Sequence, residues 1–255
     1  LFRSAVWADH PLSRQIAHSR REHCRVVTFG AEPGWDWQVV CVESERGRPT
    51  FDLIHRGGAR QRISLSVPGR HQAFNAAAAA VLATEEGVPL EAVARGLANH
   101  TGLRRRMEYC GDVRGVPVVD DYAHHPTELA AACATVRSMF PGRRLALVFQ
   151  PHQALRTCRL LYEFALCLQN ADRAFFCDIY RAREGPHGSG EITSAELVAR
   201  ARNLGAAADV LGVAELESLA LSLASDHVLL TAGAGDLGKW TDDLVRRFGS
   251  HCEGR

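Results

Sequence analysis

The pattern of hydrophobic and polar positions along this chain changes near residues 100–103. In the first part, short runs rich in β-branched residues alternate with the turn signals AEPG, RGRP and RGG, a pattern that predicts strands. An alanine-rich run that ends at a glycine and a short amphipathic stretch predict two helices after them. The predicted strands cover residues 25–30, 37–43, 50–55 and 62–67, and the helices residues 75–87 and 90–98.

From about residue 103, apolar strand candidates alternate regularly with helical stretches. Strand and helix at this spacing are typical of an α/β fold, a mostly parallel sheet with helices on both faces. We therefore predict two domains, residues 1–102 and 103–255. The strands of the second domain are predicted at residues 116–121, 144–150, 173–180, 208–212 and 227–233, and the helices near 126–139, 155–170, 193–203, 215–224 and 238–248.

Composition narrows the class of protein. A hydrophobic content of 46% and a charged content of 23% are typical of a globular protein, and 255 residues leave room for two domains. The formal net charge of +1 favours no nucleic-acid partner. No apolar run approaches the length of a membrane span, and the start LFRSAVWADHPL does not resemble a signal peptide. Because the chain begins without methionine and in the middle of a pattern, we expect it to be cut from a longer one.

The cysteines indicate a reducing compartment. None of the eight forms a CxxC pair, and several lie within apolar runs such as VVCVE and FFCDI. Buried free thiols are therefore expected, rather than disulfides or a zinc site, and a cytoplasmic location follows.

Polar residues follow four of the predicted strands, at the point where each strand ends. The segments are VVDDYAHHP, VFQPH, CDIYRARE and LTAGAGD. Since ligands bind at the carboxyl ends of parallel strands, we predict one shared site. In the first segment the aspartates suit a ligand hydroxyl or ammonium group, and His124 or His125 can donate to an anionic substrate. The Pro-Thr-Glu sequence after them predicts the start of a helix with a favourable carboxylate in its first turn.

Two further patterns are less specific. TAGAGDLGKW, residues 231–240, contains G-x-G-x-x-G and G-x-x-x-x-G-K, but no βαβ unit follows, and Trp240 stands where a phosphate loop needs Ser or Thr. We interpret this segment as a tight turn into the last helix, with Asp236 as a cap or a wall of the site. Adjacent histidines point in different directions and no third ligand has metal spacing, so no metal is predicted at His124 and His125.

Several segments resemble one family in the same order. VVDDYAHHPTEL (118–129) resembles the DDYGHHPTE segment of the Mur ligase family, in particular of the members that add the first amino acid to UDP-N-acetylmuramate. The likeness extends over nearly the whole chain and is weakest in residues 1–60. The other similar segments are VPGRHQAFNAAAAA (67–80), TGLRRRMEYCG (101–111), FQPHQALRT (149–157), DIYRAREGP (178–186) and LTAGAGDLGK (230–239).

The resemblance implies an ATP-dependent ligase of three domains in peptidoglycan precursor synthesis. Residues 1–102 would be the back half of the central ATP-binding domain, and residues 103–255 the complete Rossmann-like C-terminal domain. ATP would phosphorylate the lactyl carboxylate of UDP-N-acetylmuramate, and the amine of L-alanine would attack the acyl phosphate. ATP and Mg²⁺ are thus the implied cofactors, with the Mg²⁺ ligands expected mainly upstream of this sequence.

The resemblance also implies roles for nine residues. In the first part, three residues fall in the adenine-binding segment: His71, Gln72 and Asn75. In the second part, Arg106 matches an arginine that approaches the nucleotide, and Asp121 matches an aspartate near the ATP ribose. The remaining four would face the substrates, two as catalytic residues and two near the UDP-sugar or the amino acid: His124 and His125, and His152 and Arg156. Capping of a helix by Asn75, and backbone bonding of His152, stay open as alternatives.

The sequence departs from the family pattern at several points. Gln72 replaces Asn, Gln153 replaces Arg and so removes one anion contact, and Ala123 replaces Gly, which requires a backbone without positive φ. No G-T-x-G-K-T-type phosphate loop is present. We therefore expect this polypeptide alone not to catalyse ligation. Two alternatives remain: a murein tripeptide recycling ligase, and a remnant that binds nucleotide without catalysis.

Overall fold

The computed structural model describes residues 3–182 and 192–250, with only the backbone at Cys41. The chain divides into two compact units, Leu1–Gly102 and Leu103–Arg255. The last residues of the DIYRAREGP segment, 183–186, lie outside the described residues.

The first unit is a five-stranded sheet with helices packed against it. Its strands stand in the order β1-β2-β3-β4-β5, with β1, β2 and β3 parallel and the β3-β4 and β4-β5 pairs antiparallel. The core lies between the sheet and α2, whose alanines allow close packing against Phe51, Leu53 and Ile63. The strands are β1 Arg3–Trp7, β2 Arg25–Gly30, β3 Trp37–Glu45, β4 Arg48–His55 and β5 Arg60–Ser64, and the helices α1 Pro11–Arg20, α2 Arg70–Glu85 and α3 Leu90–Ala98.

Four strands and two helices of this unit are confirmed, but β1 and α1 were not predicted. Helix α1 has the sequence PLSRQIAHSR and buries only Ala17, while Leu12 and Ile16 are exposed. So weak an apolar stripe gives no clear helical period. Helix α2 also begins at Arg70 instead of residue 75, because Gly69, at φ +114°, ends the preceding extended segment.

The second unit is the predicted α/β domain. Its seven-stranded sheet has the order β10-β9-β8-β11-β7-β6-β12. The five strands from β10 to β7 are parallel, and β6 pairs antiparallel with both of its neighbours, β7 and β12. Helices cover both faces, giving two apolar clusters, one on each side of the sheet. The strands are β6 Glu108–Val113, β7 Val116–Asp121, β8 Arg144–Gln150, β9 Arg173–Phe176, β10 Ala208–Val210, β11 His227–Gly233 and β12 Gly249–Ser250. The helices are α4 Pro126–Met139, α5 Ala154–Arg159, α6 Leu161–Cys167, α7 Ser194–Asn203, α8 Leu216–Ser222 and α9 Leu237–Phe248.

Three details differ from the prediction for this unit. Strand β6 was missed, because its polar sequence EYCGDV contains a bulge between Tyr109 and Gly111. The strand predicted over 173–180 ends at Phe176, beyond which only a bridge between His152 and Tyr180 continues the pairing. The single helix predicted over 155–170 is broken at Leu160, whose backbone (φ −112°, ψ 21°) leaves the helical region.

The thiols are partly as expected. All six described cysteine side chains are free, but only Cys133 and Cys177 are buried, and Cys158 is exposed. Burial raises the pKa of the Cys133 and Cys177 thiols to about 12, so both remain protonated near neutral pH.

Candidate functional site

The carboxyl ends of four parallel strands meet at one edge of the second sheet. Ala232 on β11 pairs with Asp121 on β7, Gly233 pairs with Gln150 on β8, and the β8-β9 pairing reaches Phe176. The four polar segments predicted to share a site therefore leave the sheet at the same edge.

A row of aromatic rings crosses this edge. The ring of Tyr122 meets His124 edge-on at 5.4 Å, His124 lies 6.0 Å from His152, and His152 stacks on Tyr180 at 5.7 Å. The segments after β7, β8 and β9 thus bring two of the predicted site histidines together. Tyr180 was not predicted, although its place after a strand in DIYRARE was a usable signal.

Asp121 is buried at the base of this row. One oxygen accepts the backbone N–H of Met107 at 2.8 Å and the other accepts that of Ala123 at 2.7 Å. The carboxylate therefore holds the loops before β6 and after β7 in place. Ala123 has no positive φ, as its replacement of glycine requires.

His124 and His125 have different surroundings. The Nδ1 of His124 lies 3.0 Å from the carbonyl oxygen of Tyr122, and its side chain is half-buried beside the rings. His125 is exposed and caps α4, since its Nδ1 accepts the backbone N–H of Thr127 at 3.3 Å. Glu128 completes the capping box by accepting the backbone N–H groups of both histidines. The prediction of a helix start with a carboxylate in the first turn is confirmed.

Arg105 and Asp120 form a partly buried ion pair that sequence reasoning missed. The guanidinium of Arg105 donates to Asp120 at 3.0 Å and to the carbonyl oxygens of Gly233 and Gly235 at 3.2 Å or less. Asp120 also accepts from Thr231, its cross-strand partner on β11, at 2.8 Å. Burial raises the pKa of Asp120 to about 6, although the hydroxyl and Arg105 lower it.

This pair connects the ends of β7 and β11. Adjacent residues of a strand face opposite sides of the sheet, so the doublet Asp120-Asp121 was a signal for two different roles. Arg105 has a positive φ of 59°, and its guanidinium also lies 5.2 Å from the Tyr122 ring centre. The predicted nucleotide residue Arg106 lies 5.2 Å from the same ring and is exposed. Tyr122 therefore contacts both guanidinium groups, one anchored and one at the surface.

The segment after β8 carries the two predicted substrate residues. Gln153 has a positive φ of 70°, and its amide oxygen accepts from the Nη2 of Arg156 at 3.0 Å. His152 lies next to it in the ring row. His152 and Arg156 thus lie in the same short segment, on either side of Gln153.

The glycine-rich segment is explained by packing. A Cβ at Gly235 would lie 2.3 Å from the amide oxygen of Gln150, and one at Gly238 would lie 2.4 Å from the Nε of Arg105. Asp236 stands at the N-cap position of α9, but its carboxylate accepts from the side chain of Gln150 at 2.7 Å instead of capping the helix. The glycines therefore make room for side chains, and Asp236 does not cap α9 through its side chain.

In the first unit, the predicted adenine segment opens α2. His71 and Asn75 are exposed and Gln72 is half-buried. The Asn75 amide donates to the Gln72 side-chain oxygen at 3.1 Å, and Gly69, not Asn75, takes the N-cap position. This bond leaves the Asn75 side-chain oxygen as an acceptor and the Gln72 amide N–H groups as donors toward a ligand.

Residues 3–182 and 192–250 contain no group of three or more His, Cys, Asp or Glu side chains arranged to hold a metal ion. Among the same residues, no helix is both long and apolar enough to cross a bilayer.

The two units match two family models that occur side by side. Residues 3–83 match the Mur ligase middle domain, and residues 105–235 match the Mur ligase glutamate ligase domain. The second unit is a mostly parallel sheet with polar loops at its carboxyl edge, and a middle-domain segment precedes it. Both units are therefore domains of the Mur ligase class. The chain belongs to the Mur ligase family.

Individual relatives show which ligases of the family this chain resembles. A UDP-N-acetylmuramate–L-alanine ligase of Kineococcus radiotolerans is 41% identical over 234 residues, covering 90% of this chain and 49% of the relative. The enzyme of the same name from Clostridium novyi is 37% identical over 226 residues, covering 88% and 48%. The chain spans about half the length of these relatives.

Solved structures agree with the sequence relatives. The crystal structure of UDP-N-acetylmuramate-alanine ligase from Thermotoga maritima matches with a TM-score of 0.73 and 26% identity, over 87% of this chain and 47% of that one. A murein peptide ligase from Psychrobacter arcticus matches with a TM-score of 0.66 over 99% of this chain and 52% of that one, at 19% identity, and so shares the fold alone.

Proposed function

We propose that this chain forms part of an ATP-dependent ligase that joins L-alanine to UDP-N-acetylmuramate in peptidoglycan precursor synthesis. The observation that carries the proposal is the row of His124, His152 and Tyr180 at the carboxyl edge, in a chain 33–41% identical to ligases of that name. UDP-N-acetylmuramate and L-alanine are then the substrates and ATP the cofactor.

The nucleotide role is assigned to residues in both units. In the first unit, Gln72 and Asn75 present the acceptor and donor that the amino edge of adenine needs, with His71 beside them. In the second unit, Asp121 holds the place that the family resemblance gives to the ribose-binding aspartate, and Arg106 offers an exposed guanidinium to phosphate oxygens.

The reaction needs positioning and charge stabilisation more than covalent chemistry by the protein. The lactyl carboxylate attacks the γ-phosphorus of ATP, and ADP leaves. The amine of alanine then attacks the acyl carbon, and inorganic phosphate leaves as the amide forms. His124 is suited to orient a reacting group, because its Nδ1 faces the Tyr122 carbonyl and its ring is held between Tyr122 and His152.

The two predicted catalytic histidines are not equivalent under this proposal. His125 contributes by capping α4, which keeps the backbone of the His-His pair in place. His152 and Arg156 bind the substrate side, where a guanidinium can hold a carboxylate or phosphate through two hydrogen bonds. The free thiols of the described residues fit a cytoplasmic location, where the precursors of this reaction would be made.

The proposal also covers what this polypeptide does by itself. Its sequence has no G-x-x-x-x-G-K-[ST] phosphate loop, and the described residues supply no group of Mg²⁺ ligands. We therefore expect neither tight ATP binding nor turnover from the 255 residues alone. Either activity in the isolated chain would contradict this part of the proposal.

The test uses the longest reading frame that contains this sequence. Alanine-dependent release of phosphate from ATP is expected with UDP-N-acetylmuramate, and the murein tripeptide should not replace alanine. His124→Ala should lower kcat by at least about 100-fold, as loss of a residue that orients the reactants does. His125→Asn, which keeps a capping side chain, is the matched control and should retain most activity. Tripeptide-dependent release without alanine dependence would assign the recycling reaction instead.

A further inference from the structure

A charged cleft lies next to the ring row in the second unit. It has a volume of about 390 Å³ and is lined by Gln153, Leu155, Arg156, Arg159 and Leu160. This volume is within the range of small-molecule sites. Two of the five lining residues are arginines, so the cleft favours an anion.

Arg156 is held in one orientation by Gln153. Its Nη2 donates to the Gln153 amide oxygen at 3.0 Å, whereas its buried Nη1 meets no acceptor among the described residues. A buried N–H without an acceptor is costly in a protein interior. The guanidinium is thus fixed with one donor available for a ligand oxygen.

The backbone of Gln153 supports this arrangement under strain. Its φ of 70° is rare for a residue with a side chain. The strain is maintained by the N–H of Gln153, which donates to Tyr180 at 2.8 Å, and by its carbonyl, which accepts from the backbone and the hydroxyl of Thr157 at 3.0 and 2.9 Å. Strained residues held in this way are concentrated at ligand sites.

Arg159 adds a second cation one helical turn further along. It lies three residues after Arg156, so the two side chains are neighbours on α5. Neither forms an ion pair with an acidic side chain in the part of the chain that the structure describes, and like charges at this spacing repel each other. An anion between the two guanidinium groups would remove that repulsion.

We propose that Arg159 is a second anion-binding residue and Gln153 a positioning residue, and that the cleft takes the carboxylate of a small amino acid. The identity of the ligand rests on the proposed function. Binding of an anion by Arg156 and Arg159 together, which we call the two-arginine clamp, rests on the residues of the cleft. Gln153 stands where the family pattern has arginine, so the second positive charge of the clamp is supplied by Arg159. One donor from each arginine matches the two oxygens of a carboxylate, while a phosphate dianion would favour a third cation in place of Gln153.

The experiment is a titration of the full 255-residue chain followed by NMR of the arginine Nε–Hε groups. L-Alanine is compared with L-alaninamide, which keeps the amine but lacks the carboxylate, and with inorganic phosphate. The Arg156 and Arg159 signals should move together with L-alanine and stay unchanged with alaninamide. Arg159→Ala should weaken L-alanine binding about tenfold, the value of one charge-assisted hydrogen bond. Arg159→Lys should restore part of it.

Two further variants separate positioning from charge. Gln153→Ala removes no charge, yet it should weaken binding and broaden the Arg156 signal, because the guanidinium loses its fixed orientation. Arg95→Ala removes one exposed arginine from α3 in the other unit and should change nothing. Retained backbone spectra establish that each variant is folded.

Several outcomes would overturn the inference. These are movement of Arg156 without Arg159, equal responses to alanine and alaninamide, a response to phosphate only, and no response at all. The readout requires no turnover. Two-arginine binding of alanine without ligation by the longer protein would therefore reject the proposed function and keep the clamp.

Discussion

Replacement of Arg105 by alanine should destabilise the second unit in a way that depends on pH. The guanidinium is the partner of a carboxylate whose side chain is 4% exposed, and it also binds two backbone carbonyl oxygens. Removal of one partner from a buried ion pair typically costs about 3–5 kcal/mol. Because the Arg105 side chain is itself 26% exposed, we expect the lower end, about 3 kcal/mol at pH 8.

The loss of stability caused by Arg105→Ala should be smaller at acidic pH. The folded-state pKa of Asp120, about 6, lies above its ordinary value of 3.8, so between these values the folded state binds a proton that the unfolded state does not. From this carboxyl group alone, wild-type stability falls by roughly 3 kcal/mol as pH rises from 4 to 6, and then stays level. Without Arg105 the pKa of Asp120 rises further, so the fall continues to higher pH. Near pH 4.5 the variant loses mainly hydrogen bonds, about 1–2 kcal/mol.

The measurement is urea unfolding at pH 4.5 and pH 8, followed through the backbone amide signals of β11. These signals report on the second unit, to which β11 belongs. Asp120→Asn is the control, and it should remove this pH dependence in both the wild-type and the Arg105→Ala background. A loss of stability in Arg105→Ala that is the same at both pH values would refute the reasoning. So would an unchanged pH dependence in Asp120→Asn.

Three further predictions concern local features. The Asp9 carboxylate accepts from the backbones of Ala31 and Glu32 and from the indoles of Trp7 and Trp35, and these bonds lower its pKa although burial raises it. Stability of the first unit should therefore be lost as pH falls below about 4 through this lowered pKa, and Asp9→Asn should abolish that transition in tryptophan fluorescence. Gly235→Ala should lower the stability of the second unit by about 1–3 kcal/mol in urea unfolding, because its Cβ would meet Gln150 and Tyr180. Gly96→Ala, in open space on α3, should instead raise the stability of the first unit by about 0.5–1 kcal/mol. Glu128→Ala should cost about 1 kcal/mol by opening the capping box of α4, whereas replacement of the exposed Glu91 of α3 by alanine should cost less.

Sequence patterns predicted most of the second unit because its central strands are rich in apolar residues and its helices periodic. Strands β7, β8 and β11 were placed at their observed ends, which is why the shared edge could be predicted. The misses occurred where the local pattern is weak. Strand β6 is polar and bulged, and α1 buries a single alanine. In such segments, pairing and packing with distant residues outweigh local preference.

The sequence by itself determined which chemical groups stand at the strand ends, since composition and order need no coordinates. It also indicated the family through segments such as VVDDYAHHPTEL. Only the tertiary structure decided which of those groups meet. It joined Arg105 to Asp120 across 15 positions and to Gly233 across 128, assigned His125 to a helix cap, and placed His124 beside His152. The physical reason is that parallel strands bring together residues far apart in the chain, and the sheet alone fixes their spacing.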